Sequence, residues 1–284
     1  MCIRDSEGVY QNLAIRRGAV AAVVADPRVR SVTVTGSTQA GRAVAETAGA
    51  HGKKAVLELG GSDPFVVLDD ADLERAVPLA VTSRFSNNAQ SCIAAKRILV
   101  AESLLERFQA DFVARACALR MGDPLSPDTQ LGPLARADLR ESVHAQVRAA
   151  LAQGGRLLCG GEPAPGPGNF YPPTVIAGLP HDAPIVQEEI FGPVALLFGF
   201  RDDEEAIALA NATPFGLGAA VWSRDLERAQ RVALAIEAGA VFINDFVRSD
   251  PRASFGGVKG SGFGRELGAL GARELTNAKL VFVG

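Results

Sequence analysis

Residues 29–50 read VRSVTVTGSTQAGRAVAETAGA, and their order decides the fold. Val29 to Thr35 alternates and is β-branched, which predicts a strand. Gly36-Ser37-Thr38-Gln39-Ala40-Gly41 follows at once as a small-residue turn, and Arg42 to Ala50 reads as a helix. Strand, turn and helix in this order offer backbone N–H groups and a helix N-terminus to a phosphate. The turn is GSTQAG rather than GxGxxG, so the usual dinucleotide fingerprint is absent. An ordinary βα turn accounts for these residues equally well.

The same alternation runs outward from this stretch. Residues 18–25, GAVAAVVA, predict a short helix closed by Asp26-Pro27. Lys54 to Leu59 predicts a strand, Gly60-Gly61 breaks it, and Pro64 to Leu68 predicts another. Asp69-Asp70-Ala71-Asp72 opens a helix with acids in its first turn, as the helix dipole prefers. That helix is expected to run to about Ser86. A strand follows at 97–100, and an amphipathic helix at 103–119 with Cys117 expected in its core face. Further helices are expected at 136–152, 203–211 and 225–237, with strands around Cys159 and at 195–200, 219–222 and 240–244. Strands alternating with helices throughout predict an α/β fold with largely parallel sheets covered on both faces.

Composition narrows the function. The chain has 284 residues, 48% hydrophobic and 21% charged, which suffices for one large or two ordinary domains. A net charge of -3 with no basic stripe speaks against nucleic acid as a partner. No apolar run approaches the roughly 20 residues of a membrane span. Cys2, Cys92, Cys117 and Cys159 show no paired spacing and form no cluster with His51, His144 or His181. The pattern fits a reducing, cytoplasmic setting without a disulfide scaffold or metal site. The histidines, each in a polar context, are expected at the surface. MCIRDS (1–6) leads into no element and reads as a non-native leader.

Chemistry concentrates at Ser83 to Arg97, SRFSNNAQSCIAAKR. Cys92 follows Asn87, Asn88, Gln90 and Ser91 rather than the Val, Leu and Phe around a structural cysteine. Donors here could hold a developing negative charge, so Cys92 reads as a thiolate nucleophile at the start of a helix. Glu58 stands at a strand end before two glycines, where α/β sheets place their ligands. Beside a nucleophile it reads as a general base; alone it would be a cap partner or a surface acid.

ELGGSDPFVV (58–67) and NNAQSCIAAKR (87–97) together resemble the aldehyde dehydrogenase superfamily. GSTQAGR (36–42), QEEIFGPV (187–194), NATPFGLGAAVW (211–222) and FGGVKGSGFGRELG (255–268) continue the match in the same order. The resemblance covers the chain from about residue 8 to its end. SCIAAKR (91–97), DPR (250–252) and GARELTNAKLV (271–281) look most like the succinate-semialdehyde dehydrogenase branch. It implies NAD(P)-dependent oxidation of an aldehyde, succinate semialdehyde in that branch. Cys92 would form the thiohemiacetal and thioester, and Glu58 would activate the hydrolytic water. The Cys92 N–H would belong to the oxyanion hole. Gly36, Ser37, Leu59, Glu189 and Phe191 would contact NAD or NADP, with Glu189 on the nicotinamide ribose; otherwise Glu189 is a solvated acid paired with Glu188.

The resemblance also implies an order of parts. Residues 1–60 would be a remnant of a Rossmann-like cofactor domain, 61–262 an α/β catalytic domain, and 263–284 an oligomerisation tail. The family extends further at its N-terminus, so this chain resembles a C-terminal fragment, inactive by itself. The tail would join a sheet in a neighbouring subunit of a homodimer or homotetramer, or else form an edge strand within the chain. Ala89 stands where the family has Gly, Ser254 where it has Pro, and Ser86 where many succinate-semialdehyde enzymes carry a carboxylate-binding Arg. Arg84, Arg248 and Arg252 are the candidate substitutes, unless each is simply solvated. Two other readings are cofactor-independent hydrolysis or acyl transfer at Cys92, and a non-catalytic homologue.

Overall fold

The protein is described by a computed structural model over residues 8–284; the expected leader at 1–6 lies outside the described residues. The first elements are α1 (Val20–Ala25), β1 (Ser31–Thr35), α2 (Thr38–Ala50) and β2 (Lys54–Glu58). β1 and β2 pair in parallel, Ser31 opposite Lys54 through Thr35 opposite Glu58. α2 starts four residues before the expected Arg42. Ser37 caps it, Oγ accepting from the Ala40 N–H at 3.2 Å. Gly41 breaks nothing: it lies buried inside α2, with the Leu59 side chain packed into the space a Cβ would occupy.

The elements that follow are β3 (Pro64–Val67), α3 (Leu73–Phe85), β4 (Arg97–Ala101), α4 (Glu102–Cys117), α5 (Ala137–Ala152), β5 (Arg156–Cys159), β6 (Thr174–Ala177) and β7 (Val194–Phe200). Then come α6 (Asp203–Asn211), β8 (Phe215–Gly216), β9 (Gly218–Trp222), α7 (Leu226–Ala235), β10 (Ala240–Ile243), β11 (Val258–Lys259) and α8 (Gly268–Glu274). Seven strands form one sheet in the order β10-β9-β3-β4-β7-β6-β5, and only the β5–β6 pairing is antiparallel. β3 and β4 are buried at every position, which is why their sequences are unbroken rather than alternating. Phe65, Val67, Ile98 and Val100 turn to α3 and α4, against Phe85, Phe108 and Phe112. Val66, Leu68 and Leu99 face the other layer, with Val143, Val147, Ala206 and Val232.

The glycine-rich C-terminal loop carries β11, which pairs antiparallel with β8 in a third, two-stranded sheet, and then runs along the first sheet. Leu57 N–H donates to Phe263 O at 2.9 Å and Leu59 N–H to Ser261 O at 3.0 Å. Residues 261–263 therefore line the open edge of β2, and Gly262 leaves no room for a side chain against Leu57. After α8 no strand forms; Leu280, Val281, Phe282 and Val283 lie exposed. The tail is thus not an edge strand of its own chain.

Two expectations about burial change. Cys117 is exposed rather than core. The inward stripe of α4 is Phe108, Phe112 and Ala116, and Cys117, one residue on, is turned about 100° away. His51 and His181 are at the surface, but His144 is half-buried with Nδ1 3.3 Å from Tyr171 Oη. No helix among the described residues is long and apolar enough to cross a membrane.

Candidate active site

The site forms where β2 ends. Glu58 is 2% exposed, and neither carboxylate oxygen meets a donor among the described residues. Gly60 and Gly61 come next because nothing larger fits. A Cβ on Gly60 would lie 2.6 Å from Glu189 Oε2, and one on Gly61 2.5 Å from Cys92 O. The Gly61 N–H also donates to Glu189 Oε1 at 3.0 Å. Gly256 brings the C-terminal loop down on Glu58, with Oε1 2.9 Å from where its Cβ would stand. Absent side chains thus draw three segments, distant in sequence, around one point.

Cys92 sits in the turn Ser91–Ala94, not at a helix start. The chain leaves α3 through three consecutive left-handed residues, Asn87 (φ 52°), Asn88 (φ 53°) and Ala89 (φ 56°), so no helix can continue into the cysteine. Asparagine tolerates this region through local hydrogen bonds. Asn88 Nδ2 donates to Gly132 O at 2.7 Å and Pro133 O at 2.9 Å, and its Oδ1 accepts from the Gly132 N–H at 3.0 Å. Gln90 Oε1 accepts from the Ala135 N–H at 2.9 Å. Ala89 has no such compensation; it is fully buried with a methyl in a conformation that favours glycine. Ala89→Gly is therefore expected to stabilise the chain by about 1 kcal/mol, read as an increase in urea midpoint. A decrease would show that methyl packing outweighs strain.

All seven expected site residues line one cavity of roughly 610 Å³: Gly36, Ser37, Glu58, Leu59, Cys92, Glu189 and Phe191. Of the acidic pair, Glu188 is exposed and accepts from Gln146 Nε2 at 2.9 Å, whereas Glu189 faces inward. Arg136 and Leu139, not singled out by the sequence, complete the wall. Arg136 is paired to Asp138 at 2.8 Å.

The electrostatics differ from those of a ready-made thiolate. Burial pushes the Cys92 thiol up, and the carboxylates of Asp63, Glu189 and Glu58 add to the rise; Lys96 opposes them. Burial, with Glu266 adding and Arg265 opposing, pushes Glu58 up to about 7. A carboxylate half-ionised near neutrality is suited to accept a proton. The Cys92 N–H donates to no protein group among the described residues, which leaves it free for an oxyanion.

The three arginines considered for a substrate carboxylate are engaged elsewhere. Arg84 is neither solvated nor available: fully buried, its guanidinium donates to Ile190 O at 3.0 Å, to Gly192 O and to Ala94 O. Arg248 pairs with Asp245 at 2.7 Å, and Arg252 with Asp250 at 2.6 Å. None of the three lines the cavity. Arg84, Asp63 and Lys96 were not recognised as buried charges around the nucleophile.

The model of the aldehyde dehydrogenase family matches residues 7–281. The chain belongs to that family. The probable succinate-semialdehyde dehydrogenase [NADP(+)] of Synechocystis is 50% identical over 277 residues, 98% of this chain and 61% of that protein. The succinate semialdehyde dehydrogenase [NAD(P)+] of Escherichia coli is 50% identical over 276 residues, 97% of this chain and 60% of its own. The succinic semialdehyde dehydrogenase of Streptococcus pyogenes, solved in complex with NADP+, superposes with a TM-score of 0.93 at 42% identity, covering 96% of this chain and 60% of that structure. This member of the family therefore spans about three fifths of the length of the curated relatives it matches.

Proposed function

We propose that this sequence belongs to an enzyme that catalyses NAD(P)-dependent oxidation of succinate semialdehyde to succinate. The observation that carries the proposal is the meeting of Cys92, Glu58 and Glu189 with the α2 N-terminus in one cavity. The residues fit a dinucleotide. Gly36 and Ser37 at the helix start suit a pyrophosphate, the inward carboxylate of Glu189 suits ribose hydroxyls, and Leu59 and Phe191 supply an apolar wall. Such a cofactor, when bound, supplies the acceptor for the hydride that converts thiohemiacetal to thioester.

The chain's own residues do the rest. The Cys92 thiol adds to the aldehyde carbon as its proton passes to water in the cavity, and the oxygen charge that develops meets the Cys92 N–H. Glu58 then takes a proton from the water that attacks the thioester carbonyl, and Cys92 leaves as the thiol with the acid released.

Further features support the reading of the remaining parts. The first sheet closes at Glu58 and the seven-stranded sheet opens at Pro64, in keeping with a cofactor-domain portion at 1–60 and a catalytic domain at 61–262. The exposed Leu280 to Val283 fit a 263–284 tail that docks in a second copy of the chain. Cys92, Cys117 and Cys159 are unpaired, in keeping with a cytoplasmic setting. Turnover is assigned to a polypeptide of the relatives' length rather than to residues 1–284 alone. The test is steady-state reduction of NADP+ by such a completed enzyme. Succinate semialdehyde is expected to exceed butanal, which lacks the carboxylate, by about a hundredfold in kcat/KM. Equal values would contradict the substrate assignment, and robust turnover by 1–284 would contradict the requirement for the longer chain.

A further inference from the structure

Lys96 takes no part in the steps above, yet it is 1% exposed and lies against the cysteine turn. Its Nζ donates to Ser91 O at 3.4 Å, Cys92 O at 3.0 Å and Ala94 O at 3.0 Å. An ammonium has three donors and no acceptor, and all three are engaged by carbonyls of one four-residue turn. The Lys96 N–H donates to Asp63 O at 3.0 Å, which anchors the stem to the strand end behind Gly61. Arg84 meets the same turn from α3 at Ala94 O and ties it to Ile190 and Gly192, the residues flanking Phe191. Desolvating a cation here is costly, and an apolar side chain of similar volume would fill the space at less cost.

We propose that Lys96 is a positioning residue for the nucleophile: its ammonium gathers the carbonyls of Ser91, Cys92 and Ala94, fixes the turn in the cavity wall, and sets one positive charge beside the thiol. The proposal rests on the reading of Cys92 as nucleophile. Among the described residues the charged groups facing Cys92 are Asp63, Glu189, Glu58 and Lys96, of which Lys96 alone favours the thiolate. Lys96 in turn faces Arg84, Asp63, Glu189 and Cys92. Removing Lys96 or Asp63 should therefore move the thiol in opposite directions, whereas loss of a purely mechanical brace would not.

The test is the pH profile of Cys92 alkylation by iodoacetamide in chain 1–284, resolved from Cys117 and Cys159 by mass spectrometry. Lys96→Met is expected to slow labelling at pH 7 about tenfold and move the profile to higher pH, with Lys96→Arg restoring much of the rate. Asp63→Asn is expected to speed labelling and move the profile to lower pH. A Lys96→Met chain with the wild-type profile overturns the proposal. If Lys96→Met does not fold, Asp63→Asn decides: faster labelling supports the charge pairing, and an unchanged profile overturns it. A wild-type Cys92 that shows no titration at all would contradict the nucleophile reading instead.

Discussion

Glu58→Gln in an enzyme of the relatives' length is expected to cut steady-state turnover about a thousandfold while leaving a burst of one reduced cofactor per active site. The geometry gives the reason. Glu58 is at the strand end facing the cavity, with both oxygens free of protein donors. An amide in its place keeps the shape and removes the proton acceptor. Acylation at Cys92 proceeds once; deacylation, which needs an activated water, stalls. Loss of the burst as well would assign Glu58 to activating the thiol rather than the water.

The same substitution has a second readout in stability. Glu58 titrates at about 7 in the fold against the usual 4.5. Between those values the native state holds more protons than the unfolded state, so wild-type stability is full below about 4.5 and falls as pH rises through about 7. Glu58→Gln lacks this loss. Its advantage over wild type should be near zero at acid pH and grow to about 1–2 kcal/mol at pH 8, discounted because the cavity admits water. Thermal melts at three pH values check the sign. An advantage independent of pH would mean that Glu58 is not perturbed.

Cys92→Ala should remove oxidation at least about a thousandfold, because among the described residues no other thiol lines the cavity. Ser37 and Ser91 also line it, but Ser37 Oγ is held by the Ala40 N–H as the cap of α2. An activated ester offered without cofactor extends the comparison. Wild-type cleavage that disappears with Cys92→Ala would show acyl chemistry at the same thiol, the one alternative that uses the same residues. Oxidation that survives the substitution would move the nucleophile elsewhere.

Much of this was legible in the sequence for physical reasons. Strands buried on both faces are largely continuously apolar, so PFVV (64–67) and ILVA (98–101) declared their place in the sheet. Gly60 and Gly61 marked a close approach, and Glu189 Oε2 and Cys92 O are what approach. The start of α2 was misplaced because Gly41 resembles a breaker, when its role is to admit Leu59. The helix start at Cys92 failed because αL geometry at Asn87 and Asn88 is not encoded by any single residue type, and Ala89 conceals it. The buried cations were missed because their partners are backbone carbonyls contributed by remote loops: Arg84 holds Ile190 and Gly192, and Arg97 holds Leu209 O at 2.6 Å and Ala210 O at 2.9 Å. Backbone acceptors carry no sequence signature, so an arginine bound to them looks the same as a solvated one.

The central claim is that Cys92 carries the acyl group and Glu58 releases it. The measurement that tests it most directly is mass spectrometry of the Glu58→Gln enzyme, quenched in acid after mixing with succinate semialdehyde and NADP+. A succinyl adduct on residues 85–96, the tryptic peptide that contains Cys92, is the predicted result. An unmodified peptide after a full burst, or an adduct on Cys117 or Cys159, would contradict the account.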